Sequence, residues 1–123
     1  GVHCMSQPVV LVAEDEPIVA HDLCDTVEEA GFTVEGPFDD ASSAMLSFQK
    51  NKPDVAILDI NLAGGTAYSL AEKMMAEDVP VIFHSGQVTS AEVQALYPKA
   101  SALSKPCPPA VIIDTVQQAL EIN

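Results

Sequence analysis

The chain has 123 residues, enough for one domain that buries roughly two-thirds of its unfolded surface around a single core. Its 18 acidic residues outnumber five basic residues, all of them lysines, and the net charge is -13. A surface of this charge repels nucleic-acid phosphates and anionic lipids, so we expect neither nucleic-acid nor membrane binding by this chain.

The cysteines and the apolar stretches indicate a cytoplasmic protein. Cys4, Cys24 and Cys107 are odd in number and far apart, which fits neither a disulfide framework nor a metal-binding motif. The apolar stretches are too short for a membrane span, and there is no signal-peptide pattern. Residues 1–4 precede a methionine, so we expect them to be left over from protein expression and to lie outside the domain.

The first half of the chain predicts two β-strands, each followed by a helix. The first strand is Val9–Ala13, and its helix begins at Pro17, since proline is favoured in a first helical turn. The second strand is Thr33–Gly36. Either Asp39 or Asp40 can cap the helix that follows.

The second half predicts three more strands, each with a helix after it. A loop containing Gly64-Gly65 precedes the third helix of the chain, which turns Leu70 and Met74 inward. The remaining predicted elements are the strands Val55–Asp59, Val79–Phe83 and Ala100–Ser104, a short helix over Ser90–Leu96, and a last helix from Pro109.

Five such units with right-handed crossovers predict an α/β fold with a doubly wound parallel sheet and helices on both faces. The order 2-1-3-4-5, that of flavodoxin-like folds, suits five strands and places the first and third side by side. Ligands bind at the carboxyl ends of such strands, so we expect the site there.

Polar residues cluster at the predicted carboxyl edge. Glu14 and Asp15 follow the first strand, Asp59 ends the third, and Ser85 and Lys105 follow the fourth and fifth. Clustered carboxylates repel unless a cation neutralises them, and Mg²⁺ takes carboxylates, waters and phosphate oxygens. Lysine and serine can bind a phosphoryl group. The set therefore predicts phosphoryl transfer to a carboxylate.

In this order, the Glu14-Asp15 pair, Asp59, Ser85 and Lys105-Pro106 resemble the receiver domain of two-component response regulators. The resemblance covers residues 7–123 and implies a phosphorylation-controlled signalling switch with at most slow self-dephosphorylation, rather than an enzyme. Its partners would be a histidine kinase or phosphotransfer protein and a downstream protein, with the oligomeric state left open.

The same resemblance implies a role for each site residue. Asp59 would be the phosphoacceptor. Mg²⁺ would be held by Asp15, Asp59 and the backbone carbonyl of Asn61, with Glu14 acting through water. Ser85 and Lys105 would bind the oxygens of the aspartyl phosphate.

A subgroup resemblance rests on the stretch Phe83-His84-Ser85-Gly86, the loop Asp59-Ile60-Asn61-Leu62 and the opening Ala13-Glu14-Asp15-Glu16-Pro17. These look like receivers that work with HWE-type kinases or in general stress signalling. That subgroup often carries Phe-x-Thr-Gly-Tyr at strand four, where this chain has Ser85 and Gln87 in place of the threonine and the tyrosine.

The readout of phosphorylation is expected to be unusual. The family often has a tyrosine or phenylalanine three residues before the strand-five lysine, and this chain has Ala102 there. The switch would then involve Ser85, Gly86 and the loop to Ser90, the short helix, and strand five. Gln87, Leu103 and Tyr97 are the candidates for the side chain that responds.

Other functions remain open. A degenerate receiver would bind partners without phosphorylation, which the intact acids and Lys105 argue against. An aspartate-nucleophile phosphatase would have an acid two residues after its nucleophile, where this chain has Asn61. Nucleophilic catalysis by Ser85 with His84 is disfavoured, because neighbours on a strand point to opposite faces.

Overall fold

We describe a computed structural model of the chain in which residues 7–63, 65–86 and 90–122 are placed. The strands are β1 Val9–Ala13, β2 Thr33–Phe38, β3 Val55–Leu58, β4 Asn61–Leu62, β5 Gly65–Thr66, β6 Val81–Ser85 and β7 Ser101–Ser104. The helices are α1 Pro17–Glu29, α2 Ala41–Lys50, α3 Tyr68–Ala76, α4 Ser90–Leu96 and α5 Pro109–Ile122. Within the described ranges, no helix is both long and apolar enough to cross a bilayer.

The main sheet confirms the predicted strand order. Five parallel strands lie in the order β2-β1-β3-β6-β7, which is 2-1-3-4-5 when only these strands are counted. The register pairs Ala13 with Leu58, so β1 and β3 end level with each other. The residues that follow these two strands therefore start from neighbouring positions at one edge.

The three central strands are apolar because both of their faces are covered. Alternate residues of β1, β3 and β6 enter two different core clusters, as period-two alternation requires. One cluster contains Leu11, Leu58 and Phe83 together with residues of α2, α3 and α4. The other contains Val12 and Ile57 together with residues of α1 and α5. The polar edge described below lies at the end of the sheet face that α1 and α5 cover.

Three predicted strand ends were wrong. The second strand continues past Gly36 to Phe38, because Gly36 adopts a φ of +118° beside a register shift in its pairing with β1. A Cβ on Gly36 would lie 2.5 Å from the carbonyl oxygen of Val12. The fourth strand begins at Val81 and not at Val79, whose N–H closes the end of α3 on the carbonyl of Met74. It ends at Ser85 and not at Phe83, because His84 and Ser85 still pair with β7.

Other differences are smaller. The segment after Asp59, predicted as a loop, contains the short antiparallel pair β4 and β5. Strand three ends one residue before Asp59, and strand five begins one residue after Ala100, differences within the usual spread of assigned ends. Asp40 and not Asp39 caps α2, since its Oδ1 accepts from the N–H of Ser43 at 2.6 Å.

Candidate functional site

The carboxyl edge of the sheet brings the predicted acids together. Glu14 follows β1 and Asp59 follows β3, and the N–H of Asp59 donates to the carbonyl of Ala13 at 2.8 Å. Both residues are buried, with 2% and 5% of the whole residue exposed, whereas Asp15 is exposed. Backbone pairing of β1 with β3 therefore holds two carboxylates beneath a third.

These three carboxylates form a group that fits a hard cation. One oxygen each from Glu14, Asp15 and Asp59 can be chosen so that all lie within 4.8 Å of one another. An all-oxygen set of this kind suits Mg²⁺, which binds proteins through one or two carboxylates together with waters and phosphate oxygens. Backbone bonds also orient the group, because the N–H of Asn61 donates to Asp59 Oδ1 at 3.1 Å and that of Glu16 to Glu14 Oε2 at 3.1 Å.

Lys105 contributes the positive charge of the site. It follows β7, and its N–H donates to the carbonyl of Ser85 at 2.9 Å. Its ammonium nitrogen lies 2.8 Å from Glu14 Oε1, 3.1 Å from Asp59 Oδ2 and 3.2 Å from Glu16 Oε1. The ammonium donates hydrogen bonds to Asp59 Oδ2 and Glu16 Oε1, and its contact with Glu14 is an ion pair.

Burial and ion pairing oppose each other in their effects on the pKa values of Glu14 and Lys105, and both pKa values are raised. Burial disfavours the carboxylate of Glu14 and raises its pKa to about 7, although the contact with Lys105 works against this. Burial also opposes the charge on Lys105, but its contacts with the Glu14 and Asp59 carboxylates outweigh burial and raise the pKa of Lys105. The lysine therefore stays charged, and Glu14 exchanges a proton near neutral pH.

His84 lies beneath this cluster. Its Nδ1 is 3.8 Å from Glu14 Oε1, and its two ring nitrogens have no hydrogen-bond partner among the described residues. The side chain is 4% exposed, and burial, assisted by the charge of Lys105, lowers the pKa of the imidazole. His84 is therefore a neutral packing residue next to the acids.

A small cavity of about 240 Å³ opens at the edge between these groups. Its lining includes Asp15, Glu16, Asp59, Asn61, Gly86 and Lys105. Ser85 ends β6 at the same edge but is buried and does not line the cavity, whereas the next residue does. A tetrahedral anion that entered here would meet the Asp59 carboxylate, the ammonium and backbone of β4.

Of the predicted readout residues, Ala102 and Leu103 lie on β7 and Tyr97 follows α4. Ala102 pairs with Phe83 in the sheet and is half-buried on the α4 side, while Leu103 is half-buried on the α1/α5 side. Gln87 lies outside the described residues. The ring of Tyr97 packs on Phe83 with centroids 5.6 Å apart and on Tyr68 at 5.5 Å.

The hydroxyl of Tyr97 also ties the α4 end to α3. It donates to the carboxylate of Glu72 at 2.5 Å, and this bond raises the pKa of Tyr97 to about 12. Tyr97 and Ala102 thus pack against the same core cluster.

Two contacts were not predicted from the sequence. The Lys105–Glu16 pair joins residues 89 positions apart, and no local sequence pattern predicts this contact. The approach of His84 to Glu14 had a signal in strand alternation: His84 shares its face with Ile82, which belongs to the α1/α5 cluster.

Comparisons with known proteins agree with this architecture. A family model described as the response regulator receiver domain matches residues 10–117. The transcriptional regulatory protein CseB of Streptomyces coelicolor is 32% identical over 118 residues, which cover 93% of this chain and 50% of CseB. The phyllosphere-induced regulator PhyR of Methylorubrum extorquens is 29% identical over 114 residues, which cover 90% of this chain and 43% of PhyR.

Solved structures show the same fold. The receiver domain of Erythrobacter litoralis PhyR, solved by solution NMR, has a TM-score of 0.82 at 28% identity and covers 98% of this chain and 95% of that one. A response regulator receiver domain protein from Methanospirillum hungatei has a TM-score of 0.85 at 20% identity, covering 95% and 96%.

The chain spans about half the length, or less, of the curated relatives CseB and PhyR. The family model, in contrast, covers most of this chain and both of its acidic strand ends. The chain therefore belongs to the response regulator receiver domains, the phosphorylation-controlled signalling domains of two-component systems.

Proposed function

We propose that this receiver is switched by transfer of a phosphoryl group to Asp59. The observation that carries the proposal is the position of the Asp59 carboxylate, which belongs to the acidic oxygen cluster and lies 3.1 Å from the ammonium of Lys105. A carboxylate so placed is an oxygen nucleophile with positive charge beside it, in a cavity open to solvent.

The chemistry requires little beyond positioning. A carboxylate oxygen of Asp59 forms the new bond to phosphorus as the bond between phosphorus and the donor breaks, and the donor leaves with that electron pair. Lys105 then binds an oxygen of the phosphoryl group, which reduces the repulsion between that group and the surrounding acids. Ser85, at the end of β6, is the proposed second donor to the same oxygens.

Receiver domains generally bind Mg²⁺ at an acidic pocket, and the acidic cluster of this chain fits such an ion. Asp15, Asp59 and the backbone carbonyl of Asn61 are the proposed ligands, with Glu14 acting through water. When bound, the ion supplies charge that neutralises the acids and the incoming phosphoryl oxygens. The residues themselves contribute orientation, through the N–H bonds to Glu14 and Asp59.

We infer that the donor is a histidine kinase or a phosphotransfer protein and that the output is a contact with another protein. The phosphoryl group adds charge at the end of β3 and shifts an equilibrium between two conformations. Gly86 borders the cavity and β7 carries Ala102 and Leu103, so the β6–α4 loop, α4 and β7 are the proposed moving parts. The HWE-kinase and stress subgroup stays a prediction, since PhyR matches this chain no better than CseB does.

Two other functions are less well supported. A degenerate receiver would not need a lysine held against three carboxylates, as Lys105 is. A phosphatase would need an acid at position 61, where this chain has asparagine. Millimolar Mg²⁺ binding separates the first alternative from the proposal, and turnover of a small phosphate ester separates the second.

Intact-protein mass spectrometry after incubation with acetyl phosphate and Mg²⁺ tests the proposal. We expect a mass increase of one phosphoryl group in the wild type, and none in Asp59→Asn or in the presence of EDTA. Asp114→Asn, an exposed acid on α5, is the matched control and should be phosphorylated like the wild type. An Asp59→Asn variant that still gained the phosphoryl mass at the wild-type rate would remove Asp59 from the mechanism.

A further inference from the structure

Of the three carboxylates that contact Lys105, Glu16 is the one that does not belong to the proposed metal site. Its carboxylate lies 3.2 Å from the ammonium, while its side chain is 63% exposed. The other two carboxylates on Lys105 are almost fully buried, at 0% for Glu14 and 6% for Asp59. Glu16 is thus the solvent-side partner of the lysine.

The place of Glu16 at the cavity gives this contact a consequence. Glu16 lines the 240 Å³ cavity together with Asp59 and Lys105, and it precedes the first residue of α1 without capping that helix. A phosphoryl donor that approaches Asp59 through this opening passes the Glu16 carboxylate. Because donors of this kind are anions, the approach is opposed by its charge.

Lys105 also has to change partners. Its ammonium donates hydrogen bonds to Glu16 and Asp59 and lies 2.8 Å from Glu14 Oε1, so a phosphoryl oxygen that binds the ammonium competes with these carboxylates. Release of the exposed Glu16 leaves a carboxylate that water solvates at once. Release of Glu14 or Asp59 would leave a buried carboxylate without its cation, which costs more. Glu16 is therefore the partner that gives way.

We propose that Glu16 is a positioning and selectivity residue. It holds the Lys105 ammonium over the cavity in the unphosphorylated state and slows phosphorylation by small anionic donors, in proportion to their charge. This inference rests on the proposed phosphorylation of Asp59 and adds to it a residue that sets the rate and the preferred charge of the donor.

The test compares Glu16→Gln with the wild type, with phosphorylation followed by intact mass at donor concentrations well below saturation. Acetyl phosphate, a dianion at neutral pH, should phosphorylate the variant on the order of three- to tenfold faster at low ionic strength, as expected for two like charges several ångströms apart in water. Phosphoramidate, a monoanion, should show half of that effect on a logarithmic scale. Both effects should shrink in about 1 M salt, where the screening length is about 3 Å.

Glu29→Gln is the matched control. It removes the same charge from an exposed site at the other end of α1, about 20 Å away at 1.5 Å per residue, and should leave both rates unchanged. A loss of structure in Glu16→Gln would change the rates with both donors equally and at every salt concentration, and that pattern would overturn the inference.

The remaining outcomes are also distinct. Equal rates for Glu16→Gln and the wild type, slower phosphorylation of the variant, or an equal acceleration in Glu29→Gln would each overturn the role of Glu16 while leaving Asp59 as the phosphoacceptor. If the wild type gains no phosphoryl group from either donor, the proposed function fails, and the role of Glu16 fails with it.

Discussion

The buried carboxyl of Glu14 makes the free energy of unfolding of the metal-free protein depend on pH. Burial raises the pKa of this carboxyl from 4.5 to about 7, so between these values the folded chain holds a proton that the unfolded chain has released. The unfolded state binds fewer protons in this window, and the free energy of unfolding therefore falls as pH rises. The contribution of Glu14 is fully present below about pH 4.5 and lost above about pH 7.

The size of the effect follows from the same shift. At 1.36 kcal/mol for each pH unit, a rise from 4.5 to about 7 corresponds to at most roughly 3 kcal/mol. Glu14→Gln places a neutral amide where the protonated acid lies, so it should lose this pH dependence. We expect the variant to match the wild type near pH 4.5 and to exceed its stability by up to roughly 3 kcal/mol above pH 7.

Urea denaturation followed by circular dichroism in EDTA, at several pH values across this window, measures the difference. Glu29→Gln, which removes an exposed carboxylate at the end of α1, corrects for the change in net charge. Mg²⁺ should stabilise the wild type increasingly as pH rises, because the ion interacts through water with the deprotonated form of Glu14. Parallel curves for the wild type and Glu14→Gln between pH 4.5 and 7 would refute the assignment of this proton to Glu14.

Two further predictions concern the core and the moving parts. Phe83→Ala should lower the free energy of unfolding, measured by chemical denaturation, by roughly 3–5 kcal/mol, because Phe83 is fully buried against Tyr68 and Tyr97. Leu96→Ala is the control: Leu96 is 62% exposed, and its replacement should lower the free energy of unfolding by under about 0.5 kcal/mol. Beryllofluoride with Mg²⁺ should change hydrogen exchange in the β6–α4 loop, α4 and β7; changes confined to residues 20–50 would contradict the proposed readout.

The strand order and the acidic edge could be predicted because both follow from patterns along the chain. Continuous apolar runs identified β1 and β3, and chain topology then placed Glu14 and Asp59 side by side. The end of the second strand could not be predicted in this way, because Gly36 signals a turn but here allows a kinked strand to continue. Val79 is apolar like a strand residue, yet its N–H is used to end α3.

The side-chain contacts of the site depend on tertiary geometry, which local sequence patterns do not predict. The contact of Lys105 with Glu16 requires the ends of β1 and β7 to be brought together across the sheet. Tyr97 reaches Phe83 and Tyr68 from the loop after α4, and no pattern along the chain predicts these ring contacts. The residue types along the chain indicate the chemistry of the site, whereas tertiary packing determines which side chains contact each other.

The central claim is that Asp59 accepts the phosphoryl group, and chemical trapping tests it most directly. Borohydride reduction of the phosphorylated protein converts an aspartyl phosphate to homoserine, which peptide mass spectrometry then locates. We predict homoserine at position 59 and at no other acid, with formation dependent on Mg²⁺. Homoserine at Asp15 or at another carboxylate, with Asp59 unmodified, would contradict the account.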